Sequence, residues 1–557
     1  VDYPNHLAVD PARTIALADI AFQPIKLLVP PTSPDVSYTH DIAPPILFLH
    51  AAPSPGAHVS ANALRTTAAG DFLSGEATLA LAPGESRTLR FVVGFSFDRA
   101  PAVIDRQIAD LLSLAPPPAD SNVGPCSSAW RAALPDLHDE PDPVLRREML
   151  WNAYVLAALA TYSQYFHETY IPQGSVYAFH QGINASNRDH LQHLLPLIHT
   201  HPALAKSCLR YAMKHSLPDG EIKRQNTGYG YSDPGIYMES DPQLYMFMAV
   251  AEYLRITRDH AFLNEEIRYY PMESGRTDTV LTLLAKHFIY LRDVVGTGRH
   301  GLVKMLNSDW SDSFFHRHSP NIYRLFAESH MNSAMALSVL PPLLRELQTY
   351  AATAAPDRAL ADQLIAGVDT YHVALHAAVM KDMEGRTFAP RCYLGERNEP
   401  HLNFGVNTLC LEAQPFLLLA ENFPVERKRQ LYAEIRARVL DMEKFGARTR
   451  EVPLWGGEGR GEDGGMWFSH QGPLIAGVAT FDRAEALRLL RGLTFDAYAK
   501  NYPDYWVGHW TAADSLESTL SSREGLYAFW LQGAFQPFCA HAHAWMLYCY
   551  YQLRKSA

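Results

Sequence analysis

The sequence lacks the usual marks of redox, metal and nucleotide chemistry. Its six cysteines are scattered over 557 residues, and no two form a CxxC pair. Zinc ribbons and thioredoxin-type chemistry are therefore not indicated, and most cysteines are expected to be buried thiols. Neither a Walker-type loop nor a dinucleotide-binding fingerprint occurs, so no cofactor is predicted. No metal is expected at His541 and His543, because positions i and i+2 do not share a helix face.

Basic clusters and long apolar runs are also missing. The formal net charge is −11 and no Lys/Arg-rich run occurs, which argues against nucleic acid or an anionic membrane as partner. No run of eighteen apolar residues occurs, so a membrane span is not expected. A soluble protein, cytoplasmic or secreted, is predicted, and the sequence leaves open whether it forms a homo-oligomer. The chain starts at Val1, so a leader or larger N-terminal piece is expected to precede it.

Aromatic residues, by contrast, are plentiful. They make up 11% of the chain, with 28 Tyr and 9 Trp, and many fall in loop-like stretches after residue 150. Aromatic rings in loops often bind carbohydrate, although large helical cores also contain many of them. The length and the 47% hydrophobic content allow a large core and two domains.

The local patterns divide the chain into three parts. Residues 1–100 contain short alternating apolar runs with Gly/Pro punctuation, which predict an antiparallel β-sandwich. Residues 101–142 read as a helical, Pro-rich linker. Residues 143–557 carry apolar residues at helical spacing, and long aromatic-rich loops recur after about every second helix. This alternation predicts an (α/α)6 barrel. A non-catalytic helical repeat is the alternative, but no repeat length or consensus motif recurs.

The most suggestive loop is GLVKMLNSDWSDSFF, residues 301–315. Asp309 and Asp312 bracket Trp310, and two carboxylates beside an aromatic ring suit sugar chemistry. In isolation the same pattern describes a helix cap with a core tryptophan.

Three further sequence positions carry candidate sugar-binding residues. Arg188 and Asp189 open a helix, where they can hold sugar hydroxyls or simply form a cap and an exposed ion pair. Asp241 begins a later helix and is a candidate subsite residue, although a helix start favours an acid in any case.

Two late loops supply more acids and rings. Residues 451–473 include Trp455, Glu458 and His470, and residues 501–525 include Trp506, Trp510 and Glu517. An inverting glycosidase needs a second carboxylate roughly 6.5–9.5 Å from its acid, to activate water. These loops are where the sequence places that second carboxylate.

The order of motifs resembles the cellobiose and chitobiose phosphorylase family. NRDHLQHLLPLIHTHPALAK is similar to its FRDQLQD-type helix, and SDPQLYMFMAVAEYLRITRDHAFL to the helix that follows. SDWSDSF stands where that family has DWND, and GGMWFSHQGP resembles its later glycine–histidine loop. The resemblance runs in order over residues 150–555. The wider class of (α/α)6 inverting glycosidases has a comparable plan.

The resemblance implies residue roles. Asp312 would be the general acid, Trp310 a sugar-stacking residue, and Arg188 with Asp189 the subsite for the cleaved sugar. His470 would lie near the attacking group. The chain departs from the family at residues 540–543, where Ala-His-Ala-His replaces a glycine–threonine segment.

An inverting hydrolase acting on a neutral di-, oligo- or polysaccharide is therefore predicted. Hydrolysis is favoured over phosphorolysis because the additional acids of the late loops disfavour a phosphate dianion. Glu517 is the first candidate base and Glu458 the second. A phosphorylase of the same fold, and a non-catalytic carbohydrate-binding protein, are the alternatives. A lyase would need a basic cleft.

Overall fold

The computed structural model contains two compact units, Val1–Ala133 and Leu134–Ala557. It describes residues 6–19, 45–66, 70–114, 124–163, 165–174, 186–224, 238–312, 325–353, 356–397, 399–454, 456–505, 514–526 and 539–555. The boundary between the units lies within the stretch 101–142 that the sequence marks as a linker.

The first unit is built on antiparallel strands, as predicted. Its strands are β1 (His6–Asp10), β2 (Ile15–Asp19), β3 (Ile46–Ala51), β4 (Ala57–Thr66), β5 (Gly70–Leu79) and β6 (Phe91–Ser96). Four of them form a sheet in the order β1-β2-β3-β6, and β4 and β5 form a separate hairpin. Leu17 pairs with Phe48, and Phe48 pairs with Gly94, which fixes the register of the sheet.

Both faces of this sheet have packing partners. Helix α1 (Pro101–Ser113) brings Ile104 and Ile108 against Phe48. Leu49, the next residue along β3, points to the opposite face and clusters with Ala61 of the hairpin. A second helix, α2 (Pro125–Ala133), ends the unit. The closed sandwich of the sequence analysis stays a prediction.

The second unit is mainly helical, which confirms the reading of the apolar spacing. Its helices are α3 (Pro143–Ala158), α4 (Asn187–His193), α5 (Leu197–Thr200), α6 (Pro202–Met213), α7 (Pro242–Thr257), α8 (Val280–Ile289), α9 (His330–Ala351), α10 (Arg358–Asp382), α11 (Gln414–Leu419), α12 (Val425–Ile435), α13 (Phe468–Ala479), α14 (Arg483–Gly492), α15 (Phe495–Asn501) and α16 (Ala540–Lys555). Short strands join some loops: β7 (Thr161–Ser163), β8 (Glu168–Tyr170), β9 (Glu266–Arg268), β10 (Thr277–Thr279), β11 (Glu328–Ser329), β12 (Cys392–Tyr393), β13 (Asn403–Phe404), β14 (Met466–Trp467) and β15 (Ser515–Leu516).

Six of these helices pack in a closed succession. Helix α4 contacts α7, which contacts α9, and the series continues through α11, α13 and α16 back to α4. Further helices pack against this ring: α10 on α9, α12 on α11, α14 on α13, and α3 on α16. Buried side chains of both sets belong to one hydrophobic cluster. Within the part of the chain described, no helix is both long and apolar enough to cross a membrane.

Two ring helices approach closely at Gly472. A Cβ on this residue of α13 would lie 2.1 Å from Cε3 of Trp545 on α16. The Trp545 indole also donates a hydrogen bond to Gln192 Oε1 at 3.0 Å, so the ring is not free to retreat. Only a residue without Cβ permits this helix contact.

We expect Gly472→Ala to destabilise the protein by about 1–3 kcal/mol through overpacking, although alanine has the higher helix propensity. Gly492→Ala is the control, because a Cβ at that end of α14 meets nothing within 4 Å. Urea unfolding of both variants measures the difference. Equal unfolding midpoints would contradict the packing described.

Candidate active site

Four of the predicted site residues lie at the starts of ring helices. Arg188 and Asp189 lie in the first turn of α4, and Asp241 is the residue before α7. His470 lies in the first turn of α13, and His541 in the first turn of α16. The positive end of a helix dipole stabilises carboxylates, so acids are favoured in this region.

Arg188 ties the DWSD loop to α4. Its side chain is buried, and Nη1 donates to the Asp309 carbonyl at 2.7 Å while Nη2 donates to the Trp310 carbonyl at 3.2 Å. Nη2 also lies 3.4 Å from Oδ1 of Asp312. The sequence suggested that Arg188 binds sugar directly, whereas here both terminal nitrogens hold the loop in position.

Two buried acids surround the same guanidinium. Glu239 Oε1 lies 3.2 Å and Asp241 Oδ2 lies 3.5 Å from Nη1 of Arg188. Burial raises the pKa of Asp241 well above its ordinary value, and the attraction of Arg188 offsets this only in part. Burial likewise raises the pKa of Glu239. Both carboxyl groups therefore hold their protons to higher pH than exposed acids do.

Asp312 is the accessible acid of the DWSD motif. About 21% of its side chain is exposed, and Arg224 Nη2 donates to its Oδ2 at 2.7 Å. The Ser308 hydroxyl donates to Oδ1 at 3.1 Å. Arg224 also contacts Glu239 through Nε at 2.8 Å. Sequence reasoning did not select Arg224, because no local pattern connects it with an acid 88 residues later.

Asp309 is fully buried and fully partnered. Arg391 donates to both carboxylate oxygens, at 2.7 and 2.6 Å, and the Ser329 hydroxyl donates to Oδ2 at 2.6 Å. Burial opposes ionisation, but Arg391 outweighs it and lowers the pKa of Asp309. Arg391 Nε also donates to Glu412 Oε1 at 2.9 Å, and Glu412 in turn forms an ion pair with Arg450. Asp309 is thus part of a buried ion network behind the loop.

Trp310 and His470 pack on each other within the core. The Trp310 side chain is 5% exposed, and its ring centroid lies 4.0 Å from that of His470 and 5.2 Å from that of Trp467. Burial lowers the pKa of His470 to about 3, so the imidazole is neutral at pH 7. The stacking role of Trp310 stays a prediction, and little of its ring is open to a sugar.

The late loop 451–473 meets the DWSD loop through Glu462. The Ser311 hydroxyl donates to Glu462 Oε2 at 2.8 Å. Strand β14 of this loop pairs with β15 of the second late loop, so Trp467 lies opposite Ser515. Glu517 follows β15 directly and is therefore held next to the 461–467 segment.

The two candidate bases differ in environment. Glu517 is 2% exposed, and its carboxylate interacts with the Ser521 side chain and the Gly461 backbone. Burial raises the pKa of Glu517 to about 7, against the weaker opposing effect of Arg523 and Arg460. Glu458 is 58% exposed and forms an ion pair with Arg460. The predicted aromatic residues Trp455, Trp506 and Trp510 lie outside the described residues.

His541 bridges two carboxylates that sequence reasoning had not connected. Its Nδ1 lies 2.9 Å from Asp514 Oδ1, and its Nε2 lies 3.1 Å from Asp189 Oδ1. Burial disfavours the charged imidazole, but the two acids outweigh it and raise the pKa of His541. Burial also disfavours the charged form of Asp189, but His541 outweighs it and lowers the pKa of that carboxyl.

The chain is similar to known carbohydrate-active proteins over part of its length. Residues 149–372 match the family model "Glycosyl hydrolase 94 superfamily, catalytic domain", which confirms the resemblance seen in the sequence. Solabiose phosphorylase from Paenibacillus borealis is 33% identical over 127 residues, which are 23% of this chain and 15% of that protein. The chain therefore matches only a small part of the length of this curated relative.

Solved structures resemble the chain more loosely. D-mannose isomerase has a TM-score of 0.47 at 12% identity and covers 76% of this chain and 100% of its own. A wild-type glycosidase has a TM-score of 0.45 at 13% identity, with 75% and 99% covered. The GH63 mannosylglycerate hydrolase of Thermus thermophilus has a TM-score of 0.44 at 12% identity and covers 72% of this chain and 99% of its own. At TM-scores below 0.5, these likenesses carry nothing about substrate or mechanism.

The Asp309–Arg391 pair gives a prediction about stability. We expect Arg391→Met to cost about 3–5 kcal/mol, because it leaves a buried carboxylate without its cation. Arg345→Met is the matched control: Arg345 makes the same bidentate contact with Glu421, but both side chains are about half exposed. That exposed pair is expected to contribute about 0–1 kcal/mol. Urea unfolding that shows equal losses for the two variants would contradict a structural role for Arg391.

Proposed function

We propose that the chain is an inverting glycoside hydrolase whose second unit is an (α/α)6 barrel. The closed succession of six ring helices, with further helices packed against them, supports the barrel. The match of residues 149–372 to a glycoside-active catalytic family supports the chemistry. The observation that carries the proposal is that the loop of the accessible acid Asp312 is hydrogen-bonded through Ser311 to Glu462, in the segment that lies next to the buried carboxyl of Glu517.

Asp312 is the proposed general acid. The bond between the anomeric carbon and the leaving oxygen breaks, and the proton of Asp312 moves to that oxygen. An aspartic acid that donates a proton does not keep two arginine contacts, so we expect the sugar to displace the side chain of Arg224. Arg188 holds the loop through the backbone carbonyls of Asp309 and Trp310, and these hydrogen bonds remain when the sugar displaces Arg224.

Glu517 is the proposed general base. It takes a proton from water as the water oxygen attacks the anomeric carbon from the face opposite Asp312. A base near pKa 7 suits catalysis at neutral pH, because it is partly ionised yet basic enough to accept a proton. Glu458 already pairs with Arg460 at the surface and is the weaker candidate.

The surroundings favour water over phosphate as the attacking group. The neutral imidazole of His470 supplies no positive charge. The family match ends at residue 372, before the late loops that would hold the nucleophile. The loop of the proposed acid therefore lies within the matched residues, and the late loops lie outside them.

The acid assignment predicts the effect of Asp312→Asn. On a panel of α- and β-linked neutral disaccharides, we expect turnover of the cleaved substrate to fall by about 10²–10⁴-fold, since the amide cannot donate the proton. Asp293→Asn is the control, because Asp293 is half exposed and pairs only with its neighbour Arg292 in the structure described. Release of reducing sugar gives the rate. Near-normal turnover by the Asp312 variant would refute the assignment.

The base assignment predicts a pH profile. Glu517 acts only when ionised, so kcat/KM is expected to rise as pH increases through about 7, following the raised pKa of its carboxyl. Glu517→Gln should remove this rise along with most activity, whereas Glu458→Gln should keep both. A profile that keeps its limb near pH 7 in the Glu517 variant would place the base elsewhere.

Phosphorolysis is the second candidate, favoured by the family match and by solabiose phosphorylase. Arg460 and Arg523 lie near enough to Glu517 to affect its ionisation, and two arginines are a plausible anion site. In that reaction a phosphate oxygen attacks the anomeric carbon, and Asp312 still protonates the leaving oxygen.

Product analysis with and without inorganic phosphate separates the two reactions. We expect free sugar at the same rate in both, and no sugar 1-phosphate. If sugar 1-phosphate forms only when phosphate is present, the reaction is phosphorolysis and the hydrolase proposal is wrong. No cleavage of any glycoside under either condition would leave a binding protein as the better description.

A further inference from the structure

A buried Cys/His/Asp cluster lies at the start of α16. The ligand atoms of Cys539, His541 and Asp514 all fall within 4.8 Å of one another. Cys539 Sγ lies 3.8 Å and Asp514 Oδ1 lies 2.9 Å from Nδ1 of His541. Each of the three residues is at most 3% exposed.

We propose that this cluster binds a zinc ion through Cys539 Sγ, His541 Nδ1 and Asp514 Oδ1. A thiolate, an imidazole and a carboxylate together form a ligand set that zinc prefers, and three protein ligands leave the fourth tetrahedral position to water. With ordinary zinc–ligand bond lengths, tetrahedral geometry puts sulfur about 3.6 Å and oxygen about 3.4 Å from the ligating nitrogen. The sulfur is already near that separation, and the carboxylate has to move by about half an ångström.

The groups behind the ligands are those of a zinc site. Asp189 Oδ1 lies 3.1 Å from Nε2 of His541, and a carboxylate in that position orients a metal-bound histidine and directs the other nitrogen to the metal. Gln173 Nε2 donates to Asp514 Oδ2 at 3.2 Å, whereas Oδ1 is the oxygen that faces His541 Nδ1. Both outer contacts come from residues far from α16 in sequence.

An unpartnered polar atom lies beside the cluster. His193 is fully buried, and its ring centroid lies 4.7 Å from that of His541. Its Nδ1 contacts the Ile171 carbonyl at 3.0 Å, while its Nε2 has no partner among the described residues. A buried nitrogen of this kind is costly unless it meets water or an ion.

Charge balance is consistent with the ion. Binding removes the thiol proton of Cys539 and the Nδ1 proton of His541, both released to solvent, and zinc takes the place of the proton between Nδ1 and Asp514. The dication then faces one thiolate and one carboxylate, with Asp189 behind the imidazole. The proposed site differs from the sequence-based expectation that no metal binds, which considered only His541 and His543. The i and i+2 argument does not apply to Cys539, which precedes the helix.

The test is metal analysis of the full chain. Protein without an affinity tag is loaded with one equivalent of ZnCl2, dialysed against metal-free buffer and analysed by elemental mass spectrometry. We expect about one zinc per chain to remain. Loading with CoCl2 instead should give a thiolate-to-cobalt charge-transfer band in the near ultraviolet, which reports directly on the sulfur ligand.

Two cysteine variants form the comparison. Cys539→Ser should lose the cobalt band and weaken zinc binding at least about tenfold, since even outer-sphere changes cost 10–100-fold. Cys549→Ser is the matched control: Cys549 is a buried thiol within α16, the helix that Cys539 precedes, and it donates to the Gly472 carbonyl. If Cys539→Ser does not fold, as judged by circular dichroism, Asp514→Asn replaces it.

A wild-type protein that retains no zinc and gives no cobalt band would overturn the proposal and leave His541 as a protonated bridge between two acids. An unchanged band in Cys539→Ser would overturn it as well. Neither result depends on glycosidase activity, so failure here is distinct from failure of the proposed function.

Discussion

The guanidinium of Arg188 is the contact on which the site depends. A buried arginine is costly without partners, and here it binds two backbone carbonyls of the DWSD loop and lies among three acids. Because Arg188 belongs to α4 and the loop lies more than a hundred residues later, one side chain fixes the distance between them. The accessible carboxyl of Asp312 is placed by that cation.

The same surroundings give chemically similar acids different properties. Arg391 lowers the pKa of Asp309, whereas burial outweighs Arg188 and raises the pKa of Asp241. Burial also raises the pKa of Glu517, to about 7. Environment rather than residue type sets these differences. Acids that lie behind the loop stabilise it, whereas Asp312 keeps part of its side chain exposed and Glu517 is buried with a raised pKa.

Local patterns in the sequence predicted the parts of the structure that depend on local physics. Helical spacing located the helices of the second unit, and helix-start signals located Arg188 and Asp241. Contacts between distant segments had no such signal: Arg391 reaches Asp309 across 82 residues, and it lies in a stretch without periodicity. The contacts of Trp310 show the same limit: no local pattern connected it with Trp467 and His470, which pack on its ring.

The anomeric configuration of the first sugar released tests the arrangement of Asp312 and Glu517 most directly. Proton NMR during the first minutes of cleavage of a disaccharide records this configuration before mutarotation. An acid and a base on opposite faces of the sugar predict a product with the configuration opposite to that of the substrate. A product that keeps the configuration of the substrate would contradict that arrangement, since it requires a nucleophilic carboxylate and a covalent intermediate.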